Sequence, residues 1–270
     1  MTEAALEDRR DEAAAFGAVR AVLFDYGHTL IDFTVPEDAL HDAYGVIRRR
    51  LVAEARMDLP DAPELVERVA RTVTRRVDES YATDRLVELD ILELFHAALG
   101  DLGFVPHADT VRWVVEAEHT ALTKHLICPP ETIETLRVIH DSGVKIGIIS
   151  NAHLLPYMMR RDWQNLGITP FVDASLVSSE TGVRKPHPSL FERLLLMLDV
   201  QPHQAIFVGD RVFDDVGGAH TAGMRAILTR EFRQEEVDAT TDQPDFIVDR
   251  LEDILPYVLE SAGREPVPNR

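Results

Sequence analysis

The chain has 270 residues, 45% of them hydrophobic, and a formal net charge of −19. This composition is typical of a globular protein, and the acidic balance argues against a protein that binds the phosphate backbone of nucleic acids. The single cysteine, Cys128, excludes an intrachain disulfide. No apolar run approaches the roughly 20 residues of a membrane span, and the acidic start does not resemble a signal peptide. We therefore expect a cytoplasmic protein that binds neither nucleic acid nor membranes.

The first predicted element is a short strand, AVLF, that begins at Ala21 and runs directly into Asp25. From about residue 37 to residue 125 the pattern is helical instead, because apolar residues recur every three or four positions. The first such series is Leu40, Ala43, Tyr44, Ile47 and Leu51. This block predicts about four amphipathic helices and no strand.

After the helical block, short apolar runs alternate with helical segments. The runs are VKIGIIS, ASLVS, QAIFVGD, RAILT and DFIVD, and the helical segments include ETIETLRVIHDSG and PSLFERLLLMLDV. Apolar runs of this length are typical of strands in a buried parallel sheet whose connections are crossover helices. The sequence therefore predicts an α/β fold, with a Rossmann-like parallel sheet core and an inserted all-helical unit of four helices.

The change of pattern also predicts where the parts of the chain begin and end. Residues 18–35 and 127–260 form the sheet core, and residues 36–126 form the helical insert. We expect residues 1–17 to be a disordered extension and residues 261–270 to be a flexible tail, because neither has the apolar pattern of a packed element.

Polar side chains follow the predicted core strands at the points where the strands end. They are Asp25 after the first strand, Ser150 and Asn151 after the second, Lys185 after the third, and Asp210, Asp214 and Asp215 after the fourth. In open α/β sheets, ligands bind outside the carboxyl ends of the strands. A carboxylate there can attack phosphorus, others can hold Mg²⁺, and a hydroxyl and a lysine can bind phosphate oxygens. The pattern predicts phosphoryl transfer.

The motifs FDYGHTL, IISNA, RKPHPSLF and VGDRVFDDVGGAHTAGM occur in this order. Over about residues 20–258 the chain resembles the haloacid dehalogenase superfamily of phosphatases and dehalogenases. The helical insert resembles that family's four-helix cap, which closes over the site and selects the substrate. The roles that the resemblance implies are Asp25 as nucleophile and metal ligand, Lys185 as its charge partner, Ser150, Asn151 and Lys185 as phosphate ligands, Asp210 as metal ligand, and Asp215 in support of the metal. Asp214 is expected to be an exposed neighbour.

The chain departs from the family pattern at Gly27. Most phosphatases of this family have a second aspartate two residues after the nucleophile, which protonates the leaving oxygen and then activates water. The residue at this place also gives its main-chain carbonyl to Mg²⁺, and glycine retains a carbonyl. Three explanations stay open: a leaving group that needs little protonation, a proton supplied by another group such as His28 or His153, or a weakened site. For each histidine, a structural or surface role is the simpler interpretation.

Two branches of the family that are not phosphatases also lack the second aspartate. Haloacid dehalogenases need no metal and lack an acid pair like Asp210 and Asp215, which would concentrate negative charge without a cation. Phosphonoacetaldehyde hydrolases form an imine with a cap lysine, whereas the insert here has only Lys124, at its far end.

We therefore expect Mg²⁺-dependent hydrolysis of a small phosphorylated metabolite, a phosphomonoester, through an aspartyl-phosphate intermediate. The expected oligomeric state is a monomer or a homodimer. One alternative is a weakly active or inactive protein of this fold that binds phosphorylated ligands. The other is a 2-haloacid dehalogenase.

Overall fold

The computed structural model describes residues 18–34, 36–83 and 86–262. The extension predicted for residues 1–17 and most of the tail predicted from residue 261 therefore lie outside the described residues. The last helix continues to Ala262, so the described chain ends two residues inside the predicted tail.

The chain divides into two compact units. The sheet unit comprises Met1–Asp32, Ile127–Asn151 and Trp163–Arg270, and the helical unit comprises Phe33–Leu126 and Ala152–Asp162. The sequence-based division differs in two respects, because it placed in the sheet core both the second stretch of the helical unit and the start of the first stretch, from Phe33. The chain thus enters the helical unit twice.

The sheet unit contains a six-stranded parallel sheet in the described residues, in the order β5-β4-β1-β6-β7-β8. Its strands are β1 (Ala21–Phe24), β4 (Lys145–Ser150), β5 (Ala174–Val177), β6 (Ala205–Gly209), β7 (Arg225–Thr229) and β8 (Phe246–Val248). Two further short strands, β2 (Asp32–Phe33) and β3 (Leu126–Ile127), pair with each other. The predicted α/β fold with a parallel core sheet is confirmed.

Strand β1 lies at the centre of the sheet, between β4 and β6. All of its side chains are buried, as expected for a strand that is apolar on both faces. In the register, Phe24 is opposite Ile148 of β4 and Val208 of β6. The residues that follow these three strands therefore leave the sheet side by side.

Helices connect and cover the strands. They are α6 (Pro130–Asp141), α8 (Ser178–Thr181), α9 (Pro188–Leu198), α10 (Gly218–Thr221) and α11 (Leu255–Ala262), with 3₁₀ turns at Thr169–Phe171, Pro202–Gln204 and Leu251–Ile254. Helix α7 (Pro156–Asn165) begins in the helical unit and ends in the sheet unit, and a 3₁₀ turn at Thr123–His125 belongs to the helical unit. Helix α9 packs tightly on β4 at Gly147, where an added Cβ would lie 2.8 Å from Leu194 Cδ2. Leu194, Phe191 and Phe207 belong to the buried core of this unit.

The helical unit contains α1 (Glu37–Ala55), α2 (Ala62–Leu65), α3 (Arg71–Thr83), α4 (Ile91–Gly100) and α5 (Ala108–Leu122). A π-helical turn, Val66–Ala70, joins α2 to α3 without a break. The predicted apolar positions form the core of this unit, among them Leu40, Tyr44, Ile47, Leu51, Val66, Val69, Phe95 and Val111. No helix in the described part of the chain is both long enough and apolar enough to span a membrane.

The stretch Ala152–Asp162 joins the helical unit through both apolar and polar contacts. Leu155 and Met158 pack in the helical core. His119 Nε2 of α5 lies 2.7 Å from Asp162 Oδ2, and both side chains are buried. An apolar residue at helical spacing does not reveal which of two cores it enters, so the sequence pattern could not make this assignment.

Candidate active site

The nucleophile predicted from the sequence, Asp25, comes directly after the central strand β1. Its main-chain N–H donates to Val208 of β6 at 2.9 Å, which continues the strand pairing to the point where the carboxylate projects. Asp210 comes directly after β6. Both side chains are buried. The parallel pairing of β1 and β6 therefore places two carboxylates at the same edge of the sheet.

Lys185 joins two carboxylates at this edge. Its Nζ donates to Asp25 Oδ1 at 2.5 Å and to Asp215 Oδ1 at 2.7 Å. Burial alone would lower the pKa of Lys185, but the charges and hydrogen bonds of Asp215 and Asp25 raise it, and the net shift is upward. Lys185 is therefore a permanent cation between Asp25 and Asp215.

Asp215 packs closely against the end of β6, where Gly209 leaves room for its side chain. A Cβ added to Gly209 would lie 2.3 Å from Asp215 Cγ, so no side chain fits there unless Asp215 moves. Asp215 Oδ2 accepts a hydrogen bond from the Arg211 main-chain N–H at 2.9 Å. Burial raises the pKa of Asp215 to about 7, against the lowering effect of Lys185. Both carboxylate oxygens of Asp215 thus have donors within the protein.

Asp25, Asp210 and Asp215 form a buried acidic cluster in which one oxygen of each lies within 4.8 Å of the other two. Burial, followed by the charges of Asp25 and Asp215, raises the pKa of Asp210 to about 8. Asp210 Oδ2 is buried and accepts no hydrogen bond from the described residues. Carboxylate oxygens are the ligands that hard divalent cations prefer, so the donor set and this unsatisfied oxygen fit a Mg²⁺ site.

Ser150 and Asn151 end β4 beside β1, as predicted. Ser150 is buried. The Asn151 side chain binds the main chain of Lys185 in both directions: its Oδ1 accepts from the Lys185 N–H at 2.7 Å, and its Nδ2 donates to the Lys185 carbonyl at 3.1 Å. These contacts attach the end of β4 to the loop that carries the lysine.

The turn after β1 contains Gly27 and His28. The His28 N–H donates to the Ile31 carbonyl at 2.7 Å, and His28 has a φ of +60°. Its Nδ1 lies 3.1 Å from Asp32 Oδ1. Burial, and then the charge of Arg233, lower the pKa of His28. The other histidine considered from the sequence, His153, belongs to the helical unit.

Asp214 corrects an expectation, because its side chain is buried rather than exposed. The segment after β6 forms a π-helical turn, Val212–Gly217, in which Phe213 is the exposed neighbour, with 49% of its surface accessible. The sequence motif shows that two aspartates are adjacent, but the turn geometry decides which side chain faces the solvent.

Arg233 belongs to this site and was missed in the sequence. It follows β7, and its Nε lies 3.2 Å from Asp210 Oδ2, an ion pair without hydrogen-bond geometry. The rule that identified the other residues, polar side chains after strand ends, points only to the loop after the strand RAILT, in which Arg233 is the fourth residue.

Comparison with known proteins places this geometry in a family. The family model of the haloacid dehalogenase-like hydrolases matches residues 19–223. The chain is similar to the glyceraldehyde 3-phosphate phosphatase of Methanopyrus kandleri, with 30% identity over 90% of this chain and 99% of that protein.

Two solved structures share the fold. One is a 2-haloacid dehalogenase from Pseudomonas syringae pv. Tomato DC3000, with a TM-score of 0.63, 25% identity and coverage of 89% of this chain and 98% of that one. The other is an HAD phosphatase from Thermococcus onnurineus, with a TM-score of 0.58, 22% identity and coverage of 92% and 100%. The resemblance stated from the sequence motifs is confirmed, and the chain belongs to the haloacid dehalogenase-like hydrolases.

Proposed function

We propose that this enzyme hydrolyses small phosphomonoesters through an aspartyl-phosphate on Asp25. The observation that carries the proposal is the hydrogen bond from Lys185 to Asp25, which is itself a member of the buried acidic cluster. A carboxylate held in this way is a positioned nucleophile rather than a surface acid. The similarity to a glyceraldehyde 3-phosphate phosphatase supports a small phosphorylated metabolite as the substrate.

In the proposed reaction, an Asp25 carboxylate oxygen attacks phosphorus, and the ester oxygen leaves with the bond electrons. Water then attacks phosphorus, the P–O bond to Asp25 breaks, and phosphate is released with Asp25 restored as a carboxylate; solvent takes the proton that the water loses. Lys185 orients Asp25 through its contact with Oδ1 and offsets negative charge as phosphorus is transferred. The Ser150 hydroxyl donates a hydrogen bond to a phosphate oxygen. Asn151 contributes by holding the Lys185 loop in place, and its role as a phosphate ligand stays a prediction of the sequence.

The metal ion in this proposal is Mg²⁺. Asp25, Asp210 and the main-chain carbonyl of Gly27 would hold it. Asp215 would support the site from a second position, because both of its oxygens already accept hydrogen bonds. Bound Mg²⁺ offsets the negative charge of the carboxylates and the phosphate, which lets the two anions approach each other.

Gly27 supplies no side chain to protonate the leaving group. General acid–base assistance contributes about 10²–10⁴-fold to a rate, so its loss favours substrates whose leaving oxygen departs without a proton. His28 is a poor replacement as an acid, because burial and then the charge of Arg233 lower its pKa and so disfavour the protonated form. We therefore propose that acyl, aryl and anomeric phosphates react faster than alkyl phosphates.

The direct test is phosphate release from a panel that includes acyl, aryl, anomeric and alkyl phosphates and glyceraldehyde 3-phosphate, with Mg²⁺ and with EDTA. We expect release that requires Mg²⁺ and is lost in Asp25→Asn. Asp58→Asn is the matched control, since Asp58 is exposed and pairs with Arg48 in the helical unit.

Other results would support the alternatives. If wild type and Asp25→Asn bind phosphorylated ligands equally and neither releases phosphate, the chain is a binding protein. If chloride is released from 2-chloropropionate in EDTA without phosphatase activity, it is a dehalogenase. The cytoplasmic location, the monomer or homodimer, and the lack of nucleic-acid or membrane partners stay predictions of the sequence.

A further inference from the structure

Arg233 is the residue of the site that neither the motifs nor the proposed reaction uses. It lies in the loop after β7 (Arg225–Thr229), with 27% of its side chain exposed. Its Nε is 3.2 Å from Asp210 Oδ2, and its charge also acts on His28 in the turn after β1. The guanidinium therefore contacts the acidic cluster at Asp210, directly after β6.

The distribution of charge in the cluster is uneven. Lys185 is within hydrogen-bond distance of Asp25 and Asp215, but its ion pairs do not include Asp210. In the described part of the chain, the ion pair of Asp210 is with Arg233. A buried carboxylate without a nearby cation is strongly unfavourable, and Arg233 is the cation in direct contact with Asp210, whereas Lys185 contacts Asp25 and Asp215.

We propose that Arg233 is the counter-cation of Asp210 in the metal-free enzyme, and that it competes with Mg²⁺ for this carboxylate. The proposal rests on the metal site of the proposed function. Arg233 then stabilises the fold when the ion is absent and weakens the affinity for the ion when it is present. It acts as a positioning residue for Asp210 and takes no part in the reaction itself.

The geometry of the contact suits such an exchange. The Arg233 contact is an ion pair without hydrogen-bond geometry, which is weaker than the bidentate pairs that arginine forms with carboxylates. A guanidinium and a divalent cation at one carboxylate repel each other strongly in a buried site. Because Arg233 is on a loop and partly exposed, its side chain can leave Asp210 for solvent as the ion binds.

The test uses the full chain and measures two quantities, the Mg²⁺ dissociation constant by calorimetry and the melting temperature in EDTA. For Arg233→Gln we expect Mg²⁺ to bind tighter by on the order of tenfold and the melting temperature in EDTA to fall. Arg233→Lys keeps a positive charge, so its affinity should stay close to that of wild type. Arg250→Gln is the matched control, because Arg250 Nε pairs with Glu252 Oε1 at 3.1 Å in a more exposed position.

The sign of the change separates this proposal from a merely structural role, since a variant that only loosened the site would bind Mg²⁺ more weakly. If wild type binds Mg²⁺ as tightly as Arg233→Gln, or more tightly, the role of Arg233 is overturned but the metal site is not. Wild type that binds no Mg²⁺ overturns the metal site of the proposed function and this proposal with it. If Arg233→Gln does not fold, unchanged Mg²⁺ affinity in Arg233→Ala would likewise overturn the proposal.

Discussion

The Asn151 side chain makes two hydrogen bonds with the main chain of Lys185: it accepts from the Lys185 N–H and donates to the Lys185 carbonyl. Lys185 in turn binds Asp25 and Asp215 by its side chain. The end of β4 therefore helps to position the ammonium group relative to Asp25, the proposed nucleophile. An amide is the side chain that does this best, because it has both a donor and an acceptor in one plane.

We expect Asn151→Asp to lower kcat/KM for phosphate release at least tenfold. The carboxylate accepts from the Lys185 N–H but cannot donate to the carbonyl, and it brings a negative charge next to that oxygen. Loss of one or both hydrogen bonds should also reduce the free energy of unfolding by about 1–3 kcal/mol. Asn165→Asp, at an exposed position, is the control in both steady-state kinetics and urea unfolding. Unchanged kcat/KM in Asn151→Asp would show that the lysine loop is held by other contacts.

Gly209→Ala is expected to displace Asp215. The new Cβ would lie 2.3 Å from Asp215 Cγ, so the carboxylate must move and its contact with Lys185 weakens. We expect phosphate release to fall at least tenfold, with a loss of stability of about 1–3 kcal/mol from overpacking. In Gly45→Ala, by contrast, the new Cβ meets no atom within 4 Å. This helix substitution should leave activity unchanged and add up to about 1 kcal/mol of stability, and a similar activity in both variants would contradict the prediction.

Gly27→Asp tests the missing general acid. Gly27 is not one of the glycines with a positive φ, so its backbone conformation accepts a side chain. If the position is equivalent to the second aspartate of related phosphatases, the variant should raise kcat/KM for alkyl phosphates by about 10²–10⁴-fold. It should also reduce the dependence of the rate on the leaving-group pKa in a series of aryl phosphates. Gly27→Asn has the same size without a carboxyl proton, and an equal rise in that variant would rule out proton transfer as the cause.

Glu118 in α5 should make stability depend on pH. Burial raises its pKa to about 7, opposed by the hydrogen bond from the Tyr44 hydroxyl at 2.5 Å. Between the ordinary pKa of a glutamate, about 4.3, and this raised value, the folded protein keeps a proton that the unfolded chain releases. Its contribution to the free energy of unfolding therefore falls as the pH rises through this range.

The measurement is urea unfolding of wild type and Glu118→Gln at pH 5 and pH 8. Relative to wild type, we expect the free energy of unfolding of Glu118→Gln to be higher at pH 8 than at pH 5. Glu64→Gln changes an exposed glutamate of the same unit and should show no such shift. A difference that is the same at both pH values would mean that Glu118 ionises normally in the folded protein.

The parallel sheet and the acidic edge were predictable because burial on both faces leaves a continuous apolar run, and because parallel strands end at one edge. That logic predicts that Asp25 and Asp210 lie together at one edge. It could not reveal that Asn151 binds the main chain of Lys185, since hydrogen-bond partners distant in sequence leave no local pattern. The burial of Asp214 depends on the π-helical turn Val212–Gly217. The sequence of this turn does not differ from that of an ordinary helix start. Arg233 lay outside every motif.

The two separate stretches of the helical unit limit how this enzyme can be re-engineered. Transplanting Phe33–Leu126 alone from a relative would replace His119 but leave Asp162, whose buried carboxylate depends on it. If the relative has no suitable partner at the position of His119, the Asp162 carboxylate is left buried without a hydrogen-bond partner, at a penalty of several kcal/mol. A viable chimera must therefore exchange Ala152–Asp162 in the same step, with four junctions rather than two, one of them directly after Asn151.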